Sequence, residues 1–168
     1  MDSATIDKPN SQISIIDFDL ALAHHFETIN KQWIGDMFVL EDIDKQVLED
    51  PQAHIIDKGG KIWFVDHPLH SIVGTCALLN KGNGAFELTK MGVKSEIRGL
   101  KVGEKLLQHV IKEACEMQVS KLFLLTNEKC EAAIHLYEKN GFVHDKAIRE
   151  EYGKNYQRCN VAMLYKVI

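Results

Sequence analysis

The stretch ELTKMGV-KSEIRGLKVG-EKLLQHVIKEACEM, from Glu87 to Met117, decides the fold. Apolar and β-favouring residues from Phe86 to Val93 predict a strand, and Gly92 near its end predicts a bulge or a close backbone approach. Apolar side chains then recur at three- and four-residue spacing, which predicts a helix with one buried face. The segment therefore reads as a strand, a turn and a helix.

The turn between this strand and helix contains Arg98, Gly99, Lys101 and Gly103. The first turn of a helix has backbone N–H groups without intrahelical partners, and the helix dipole adds partial positive charge there. Together with cationic side chains and permissive glycines, these groups favour a bound anion, in particular phosphate. A strand-to-helix turn with merely exposed basic residues is the alternative. The spacing matches neither the dinucleotide fingerprint nor a P-loop.

The composition is that of one domain, with 168 residues of which 45% are hydrophobic. We expect residues 1–12 to form a flexible lead-in and residues 13–168 to form a single domain. The net charge of −4 argues against general nucleic-acid binding. Four dispersed cysteines indicate reduced thiols and a cytoplasmic location, and the apolar runs are too short to cross a membrane. Neither His24 and His25 nor His67 and His70 have partners at metal-ligand spacing, so no metal is expected.

The remaining elements follow from hydrophobic periodicity and turn residues. The predicted strands are 13–18, 53–57, 61–66, 71–79, 121–126, 142–148 and 160–168, and the predicted helices are 19–37, 41–48 and 130–139. Short turns before the central helix predict an antiparallel meander, whereas the strand after that helix lies parallel to its predecessor in a βαβ unit. The fold class is therefore α+β, with a mixed, mostly antiparallel sheet of about seven strands.

Two motifs resemble the signatures of the GNAT superfamily of N-acetyltransferases. Arg98-Gly99-Leu100-Lys101-Val102-Gly103 resembles Gln/Arg-Gly-x-Gly-x-Gly/Ala, with Lys101 in place of the middle glycine. That change is tolerable if position 101 needs no positive φ. The stretch from Cys130 to Phe142 resembles Asn-x-x-Ala-x-x-Leu/Phe-Tyr-x-x-x-Gly-Phe, with Cys130 in place of asparagine. Two signatures in order are more specific than either one alone.

The resemblance implies a single-domain GNAT-like fold with helices on both faces of the sheet and a splayed strand pair that binds CoA. The pantetheine arm is then expected along the main chain of the bulged strand, and the pyrophosphate on the glycine-containing turn. The residues implied for cofactor binding are Met91, Gly92, Val93, Arg98, Gly99, Leu100, Lys101, Val102, Gly103, Glu104, Asn127, Cys130 and Lys139. Glu104 would contribute its N–H group, and Asn127 part of the missing asparagine's hydrogen bonding. For Lys139, a solvated helix surface is the alternative.

The resemblance also implies direct attack of an amine on the thioester of acetyl-CoA in a ternary complex. Tyr137 matches the family tyrosine that protonates the departing thiolate, and a core aromatic residue is the alternative interpretation. Glu87 is the candidate general base, acting directly or through water, and the alternative is a strand residue that faces solvent or forms an ion pair, for example with Lys90. A backbone N–H near Met91 to Val93 would stabilise the oxyanion.

The acceptor is expected between the first two helices and the loop before the last strand, where carboxylates and aromatic rings suit a cationic amine. These residues are Glu27, Asp36, Glu41, Asp42, Glu150, Glu151, Trp33, Phe38, Tyr152 and Tyr156. The predicted function is acetyl transfer from acetyl-CoA to a primary amine of a small molecule, peptide or protein, by a monomer or homodimer with no metal, nucleic-acid or membrane partner. The alternatives are a catalytically inactive acyl-CoA-binding or sensing module and a nucleotide-phosphate-binding domain unrelated to CoA.

Overall fold

The computed structural model describes residues 12–97 and 101–166. Three residues of the first signature, Arg98, Gly99 and Leu100, lie outside the described residues, as does the expected lead-in apart from Gln12. The described chain forms one seven-stranded sheet with helices on both faces.

The sheet contains the strands β1 (Ser14–Asp17), β2 (Lys61–His67), β3 (Ser71–Gly82), β4 (Ala85–Val93), β5 (Lys121–Thr126), β6 (Phe142–His144) and β7 (Val161–Tyr165). Their spatial order is β1-β2-β3-β4-β5-β7-β6. β4 and β5 pair in parallel, and the other neighbouring strands pair antiparallel. The predicted α+β class, the meander of the first half and the parallel βαβ unit are all confirmed.

The helices are α1 (Ala23–Met37), α2 (Asp42–Glu49), α3 (Val102–Glu116), α4 (Glu131–Lys139) and α5 (Lys146–Tyr152). Successive side chains of a strand point to opposite faces, so neighbours in β2 enter different cores. Trp63 packs with the apolar residues of α3, whereas Phe64 packs with those of α1 and α2. The helices predicted on both faces are therefore present.

The predicted strand at 53–57 is wrong, because the chain forms a π-helical turn at Gln52–Ile56. Its Asp57 N–H donates to the Gln52 carbonyl at 2.8 Å, and Ile55 is buried in the core beneath α1 and α2. A short apolar run is compatible with either a strand or a helical turn. Here Asp50 interrupts α2 and favours a new helical turn, because its side chain accepts a hydrogen bond from the Ala53 N–H at 3.1 Å.

The predicted strand at 142–148 is wrong in its second half, since β6 ends at His144. Asp145 then caps α5 by accepting a hydrogen bond from the Ile148 N–H at 2.9 Å. The region 149–158, expected as a polar loop, thus contains the end of α5 and a 3-10 turn at Gly153–Asn155. The spacing of Ile148 and Tyr152 suits a short amphipathic helix, and both residues pack against the core around Phe123.

Candidate active site

β4 and β5 separate near the centre of the sheet. Their pairing begins at Ala85 with Lys121 and ends at Leu88 with Leu124. Beyond that point β4 remains paired with β3, and β5 remains paired with β7. A wedge-shaped gap therefore opens between the ends of the two parallel strands, and it corresponds to the splayed strand pair that the family resemblance implies.

A bulge in β4 lies on the edge of this gap. β3 advances two residues, from Thr75 to Ala77, while β4 runs three residues, from Gly92 back to Thr89. Lys90 accommodates the extra residue with a φ of 52°, in the left-handed region. The predicted bulge is present, but it is centred on Lys90 rather than on Gly92.

Gly92 serves a different purpose, which is the close approach of α1. A Cβ atom at this position would lie 2.6 Å from Cδ1 of Trp33 and 3.0 Å from Cγ2 of Ile29. Those distances are too short for a real side chain, so only glycine lets the Trp33 ring lie against the strand. Two side chains of α1 therefore approach Gly92, rather than a second backbone as the sequence pattern predicted.

A groove leads from the gap to the N-terminal end of α3. Its outer part is lined by Met91, Val93, Ile97, Lys101, Val102, Gly103, Glu104, Ala132, Ala133 and Leu136. Its inner part is lined by Trp33, Met37, Met91, Gly92, Val93, Thr126, Lys129, Cys130, Glu131, Ala132, Ala133 and Tyr137. The two parts share residues of β4 and α4, so they form one continuous channel. Most of the described cofactor candidates lie along it.

Gly103 leaves this groove open at the first turn of α3. A Cβ atom there would contact Leu136 and Val93 only at 3.8 Å, which is ordinary van der Waals distance. Internal packing therefore does not require a glycine at this position. The missing side chain instead leaves space beside the helix N-terminus, where backbone N–H groups and the helix dipole favour an anion.

Lys101 precedes α3 with a φ of 61° and a ψ of 16°. This is the left-handed region, which costs an L-residue about 1 kcal/mol relative to glycine. The condition under which lysine was expected to be tolerated, a negative φ, is therefore not met. The lysine is strained at the position where the family signature has glycine.

Lys139 and Glu104 form an ion pair at the rim of the groove. Lys139 Nζ lies 2.9 Å from Glu104 Oε1, and this hydrogen-bonded contact lowers the pKa of Glu104. Glu104 lines the groove, whereas Lys139 lies behind it. Lys139 is therefore exposed but bound to a neighbouring carboxylate.

Asn127 and Cys130 lie where β5 leads into α4. The Asn127 side chain donates to the Arg158 carbonyl at 2.7 Å and accepts from the Lys129 N–H at 2.9 Å. It thereby fixes the loop before β7 to the end of β5. Cys130 lines both the groove and the inner pocket, and no side-chain cap bond is made at this N-cap position.

Tyr137 lies at the junction of the groove and a deeper inner pocket. The residue is 7% exposed, and its ring meets Phe142 edge-on at 5.9 Å. Burial raises the pKa of the phenol well above its ordinary value, and the nearby Cys76 and Cys130 thiols act in the same direction. The hydroxyl therefore keeps its proton at neutral pH and is able to donate it. No hydrogen bond to this hydroxyl occurs within residues 12–97 and 101–166.

Glu87 is buried on the other face of the sheet, with 1% of its surface exposed. Its Oε1 has no hydrogen-bond partner among the described residues. Burial raises the pKa of this carboxyl, although Lys90, Lys81 and interactions with Thr89 and Tyr156 oppose the shift. The solvent-facing alternative for Glu87 is wrong, and Lys90 pairs with a different carboxylate.

The inner pocket lies beyond Tyr137, inside the splayed strands. It is lined by Trp33, Phe38, Leu88, Thr89, Lys90, Met91, Leu124, Leu125, Thr126, Asn127, Cys130, Tyr137, Tyr156, Arg158 and Cys159. Glu87 is absent from the described lining, but Thr89 and Tyr156 are part of it and interact with Glu87. A proton could thus reach Glu87 through these hydroxyls or a water molecule.

A buried ionic cluster forms the rear of this pocket around Asp44, which is fully buried. Lys90 Nζ donates to Asp44 Oδ1 at 2.8 Å, and Arg158 donates to both carboxylate oxygens at 2.6 and 2.8 Å. Burial alone would raise the pKa of Asp44, but Arg158 and Lys90 outweigh it and lower the pKa to about 2. Arg158 also donates to Glu41 at 3.2 Å. The cluster joins α2, the β4 bulge and the loop before β7.

The carboxylates expected around the acceptor have other partners or positions. Glu41 binds Arg158 and accepts from the Gln157 N–H, and Glu27 pairs with Lys31. None of the six expected acidic residues lines the inner pocket. Glu41 and Asp42 line a neighbouring pocket that shares Phe38 and Arg158 with it. Of the expected aromatic residues, three line the inner pocket, namely Trp33, Phe38 and Tyr156. Tyr152 instead stacks on Phe123 at a centroid distance of 4.3 Å.

Sequence reasoning missed the three charged residues of the rear wall, Asp44, Lys90 and Arg158. Lys90 carried a signal, because it is a charged residue next to apolar residues of a predicted strand, although Glu87 in that strand is charged as well. Asp44 looked like an ordinary helical surface residue, and nothing in the sequence relates it to Arg158, which is 114 positions away. Their pairing depends on tertiary structure alone.

Metal-ligand clusters and membrane-spanning helices are both absent from the described residues. No group of three or more His, Cys, Asp or Glu residues there could hold a metal ion. Nor does any helix in that part of the chain have the length and apolar character needed to span a bilayer.

Comparison with known proteins agrees with this geometry. A model of the acetyltransferase (GNAT) domain family matches residues 58–144, slightly more than half of the chain. An uncharacterized N-acetyltransferase of Dictyostelium discoideum is 37% identical over 57 residues, which are 34% of this chain. The matched segment spans only 26% of that relative.

Two solved structures share the fold. A GNAT-family acetyltransferase from Staphylococcus aureus Mu50 superposes with a TM-score of 0.80 and 25% identity, covering 92% of this chain and 99% of that one. A spermidine N-acetyltransferase from Vibrio cholerae, in complex with CoA and spermine, gives a TM-score of 0.68 and 18% identity, covering 94% and 96%. The family match, the open seven-stranded sheet and the gap beside Tyr137 lead to one conclusion: the chain belongs to the GNAT family of acetyltransferases.

Proposed function

We propose that this protein is an N-acetyltransferase that uses acetyl-CoA as donor and a primary amine as acceptor in a ternary complex. One observation supports this most strongly. The gap between β4 and β5 contains a protonated, buried tyrosine and continues as an open groove to the N-terminus of α3. A donor bound in that groove and an acceptor in the inner pocket would meet at Tyr137.

The described residues fit CoA in three respects. The end of β4 that extends past its pairing with β5, from Met91 to Val93, borders the groove and suits the amide-containing pantetheine arm. Gly103 leaves space at the helix N-terminus for a pyrophosphate, and Lys101 adds positive charge there. Cys130 lines the passage between groove and pocket. Asn127 is occupied with protein contacts, so we propose it as a residue that shapes the site. Lys139 can bind a phosphate only if it breaks its ion pair with Glu104.

Acetyl-CoA supplies an acetyl group activated as a thioester, and the transfer exchanges its C–S bond for a C–N bond to the acceptor, releasing the CoA thiol. The acceptor nitrogen must be neutral to react, so a base must remove a proton. We assign that role to Glu87, acting through Thr89, Tyr156 or water. Burial raises the pKa of this carboxyl in the direction of neutral pH, as suits a general base. Tyr137 is the proton donor to the leaving sulfur, since its hydroxyl retains its proton and is not held by another described residue.

The competing function is an acyl-CoA-binding module without transferase activity. The strained Lys101 and the uncapped Cys130 favour it, because both depart from the family signatures at cofactor positions. The buried Glu87 and Tyr137 favour the enzyme, since a binding module has no need of a buried carboxyl without a hydrogen-bond partner for Oε1. The Vibrio cholerae relative holds spermine, but at 18% identity it does not indicate the acceptor of this chain.

The decisive experiment combines binding with turnover. Calorimetry should detect binding of acetyl-CoA, and a thiol-release assay across a broad amine panel should detect CoA. Binding without release for any amine would establish the competing module instead. A nucleotide that stabilises the fold more than CoA does would support the unrelated nucleotide-binding domain. The cytoplasmic location and the monomeric or homodimeric state stay predictions.

A further inference from the structure

The inner pocket carries positive charge on its lining. Its described lining includes two cationic residues, Lys90 and Arg158, and no acidic residue. Of their carboxylate partners, Asp44 is fully buried outside this lining, whereas Glu41 lines a neighbouring pocket that shares Phe38 and Arg158 with it. Within the inner pocket, a ligand therefore faces these two cationic residues and no carboxylate of the described lining.

Both cations retain hydrogen-bond donors beyond those used by the cluster. A guanidinium has five N–H donors and an ammonium has three. Arg158 directs Nη1 at Glu41 and Asp44 and Nη2 at Asp44, while Lys90 directs one contact at Asp44. No other described partner takes the remaining donors of Arg158 or Lys90. These donors are suited to bind a carboxylate of a ligand.

Aromatic rings hold the cations in place along the pocket wall. Lys90 Nζ lies 4.8 Å from the centroid of the Tyr156 ring, and the Arg158 guanidinium lies 5.0 Å from it. Lys129 Nζ and the Arg158 guanidinium each lie 5.9 Å from the centroid of the Phe38 ring. Lys129 lines the adjoining groove, as does the acidic Glu131, so a third cation stands near the entrance with a carboxylate two residues away. Cation–aromatic contacts of this kind stabilise and orient the charged groups.

The pocket is small, with a volume of about 60 Å³. It has room for the polar head of an acceptor, but not for a large substrate. Tyr137 and Arg158 line the same small space, so an acceptor whose reacting amine lies close to its carboxylate suits the pocket. An α-amino acid has this arrangement, because its amine and carboxylate are separated by one carbon.

We propose that the acceptor is a small molecule with the head group of an α-amino acid, whose carboxylate binds Arg158 and Lys90 with Lys129 at the entrance. This inference rests on the proposed N-acetyltransferase function and names its substrate class. The same cations disfavour the protonated amine, so they help to supply the neutral nucleophile. A polyamine, in contrast, would place further positive charge against this wall. The cationic acceptor anticipated from the acidic residues of the sequence is thus replaced by one bearing an anion.

The first test compares matched acceptors in the thiol-release assay. Glycine, phenylalanine, lysine and glutamate are each assayed beside the corresponding amide and the corresponding amine without the carboxyl group. The carboxylate member of at least one set should have a kcat/KM about ten-fold or more above its amide, as expected for a charge-assisted hydrogen bond. Equal or better turnover of the amides or of spermidine would overturn the inference and leave the transferase function intact.

The second test reads binding without turnover. In the presence of CoA, the carboxylate members should raise the melting temperature more than their amides do. Equal shifts within every set, or no shift with any carboxylate, would overturn the inference even if no amine is acetylated. If acetyl-CoA does not bind, or if no amine causes the release of CoA, the proposed function itself is contradicted.

Variants separate the role of charge from stability. Lys129→Gln removes the charge at the entrance and should lower kcat/KM for the carboxylate acceptor severalfold, with its amide unaffected. Lys112→Gln is the matched control, because Lys112 is exposed on α3. Arg158→Lys keeps a positive charge next to Asp44 but loses the guanidinium donors, so its loss should appear mainly in KM for the carboxylate acceptor. An equal loss for the amide would contradict carboxylate recognition.

Discussion

Lys90 Nζ lies 2.8 Å from Asp44 Oδ1, and both side chains are almost completely removed from solvent. The lysine comes from the bulge of a central strand and the aspartate from a helix on one face of the sheet. Arg158 completes the contact from the loop before the last strand. This one carboxylate therefore holds together the wall of the pocket in which we place the acceptor.

Replacing Asp44 with alanine should destabilise the protein strongly. The change leaves Lys90 and part of Arg158 buried without a counter-ion, which costs about 3 to 5 kcal/mol. Chemical denaturation should show this loss in the free energy of unfolding. Glu116→Ala, which removes the partner of Lys112 on the exposed surface, is the control and should change it by less than about 1 kcal/mol. Similar effects of the two substitutions would show that the buried cluster does not stabilise the fold.

The contribution of Asp44 should also depend on pH. Its pKa falls from 3.8 to about 2 on folding, so the folded state favours the ionised form. The resulting stability is fully present above about pH 4 and is lost as the pH falls toward 2. The difference in unfolding free energy between the native protein and Asp44→Asn should therefore shrink across that window. A difference that stays constant from pH 6 to pH 2 would contradict the shift.

Substitution of Tyr137 by phenylalanine should lower turnover about 100-fold, because the proton donor to the departing thiolate is lost. The affinity for acetyl-CoA should stay nearly unchanged, since the aromatic ring still packs against Phe142. The thiol-release assay measures the turnover rate, and calorimetry measures the affinity for acetyl-CoA. Tyr152→Phe, distant from the pocket lining, is the matched control. Undiminished turnover in Tyr137→Phe would remove the hydroxyl from the acid role.

Glu87→Gln should lower the rate and alter its pH profile. Burial raises the pKa of Glu87, so the acidic limb of the native profile should lie above the ordinary carboxyl value of 4.5. That limb should disappear in the glutamine variant. The folded protein also disfavours the ionised carboxylate, so its destabilising effect is absent below pH 4.5 and grows as the pH rises toward the folded pKa.

A melting series tests the same residue independently of catalysis. Glu87→Gln should gain stability relative to the native protein as the pH increases from 4 to 8, because the neutral amide has no ionisation cost. A gain that does not vary with pH would show that the carboxyl is not destabilised by burial. An unchanged rate profile would assign the base role elsewhere.

Position 101 separates backbone strain from charge. Lys101→Gly removes a side chain from a residue with a φ of 61° and should stabilise the protein by about 1 kcal/mol, whereas Lys101→Ala keeps the strain. Both variants lack the ammonium group and should weaken acetyl-CoA binding to a similar extent. Calorimetry and thermal unfolding measure the two effects. Equal stabilities for glycine and alanine would contradict the strain.

The central strand, helix and strand were predictable because their signals are local. Hydrophobic periodicity located α3, and a short apolar run located β5 with its observed bounds. The two signatures also placed Tyr137 at the gap between the strands. In contrast, residues 53–57 and 145–152 were misread, because short apolar segments next to helix caps suit either a strand or a helical turn.

The chemistry of the acceptor pocket was less accessible to sequence reasoning. Counting acidic residues suggested a negative site, but the structure turns Glu41 toward Arg158 and the Gln157 backbone. Net composition does not indicate which member of an ion pair lines a cavity. Only the fold shows that Lys90 and Arg158 line the inner pocket, whereas Asp44 is buried outside its lining and Glu41 lines the neighbouring pocket.

The Asp44 contacts also limit how acceptor preference could diverge among related chains. A replacement in the loop before β7 that removes the guanidinium leaves an excess negative charge beneath α2, and a replacement in α2 leaves an excess positive charge beneath the loop. Neither segment is free to vary alone. Exchange of substrate preference by transplanting one loop would therefore fail unless the corresponding helix is transplanted with it.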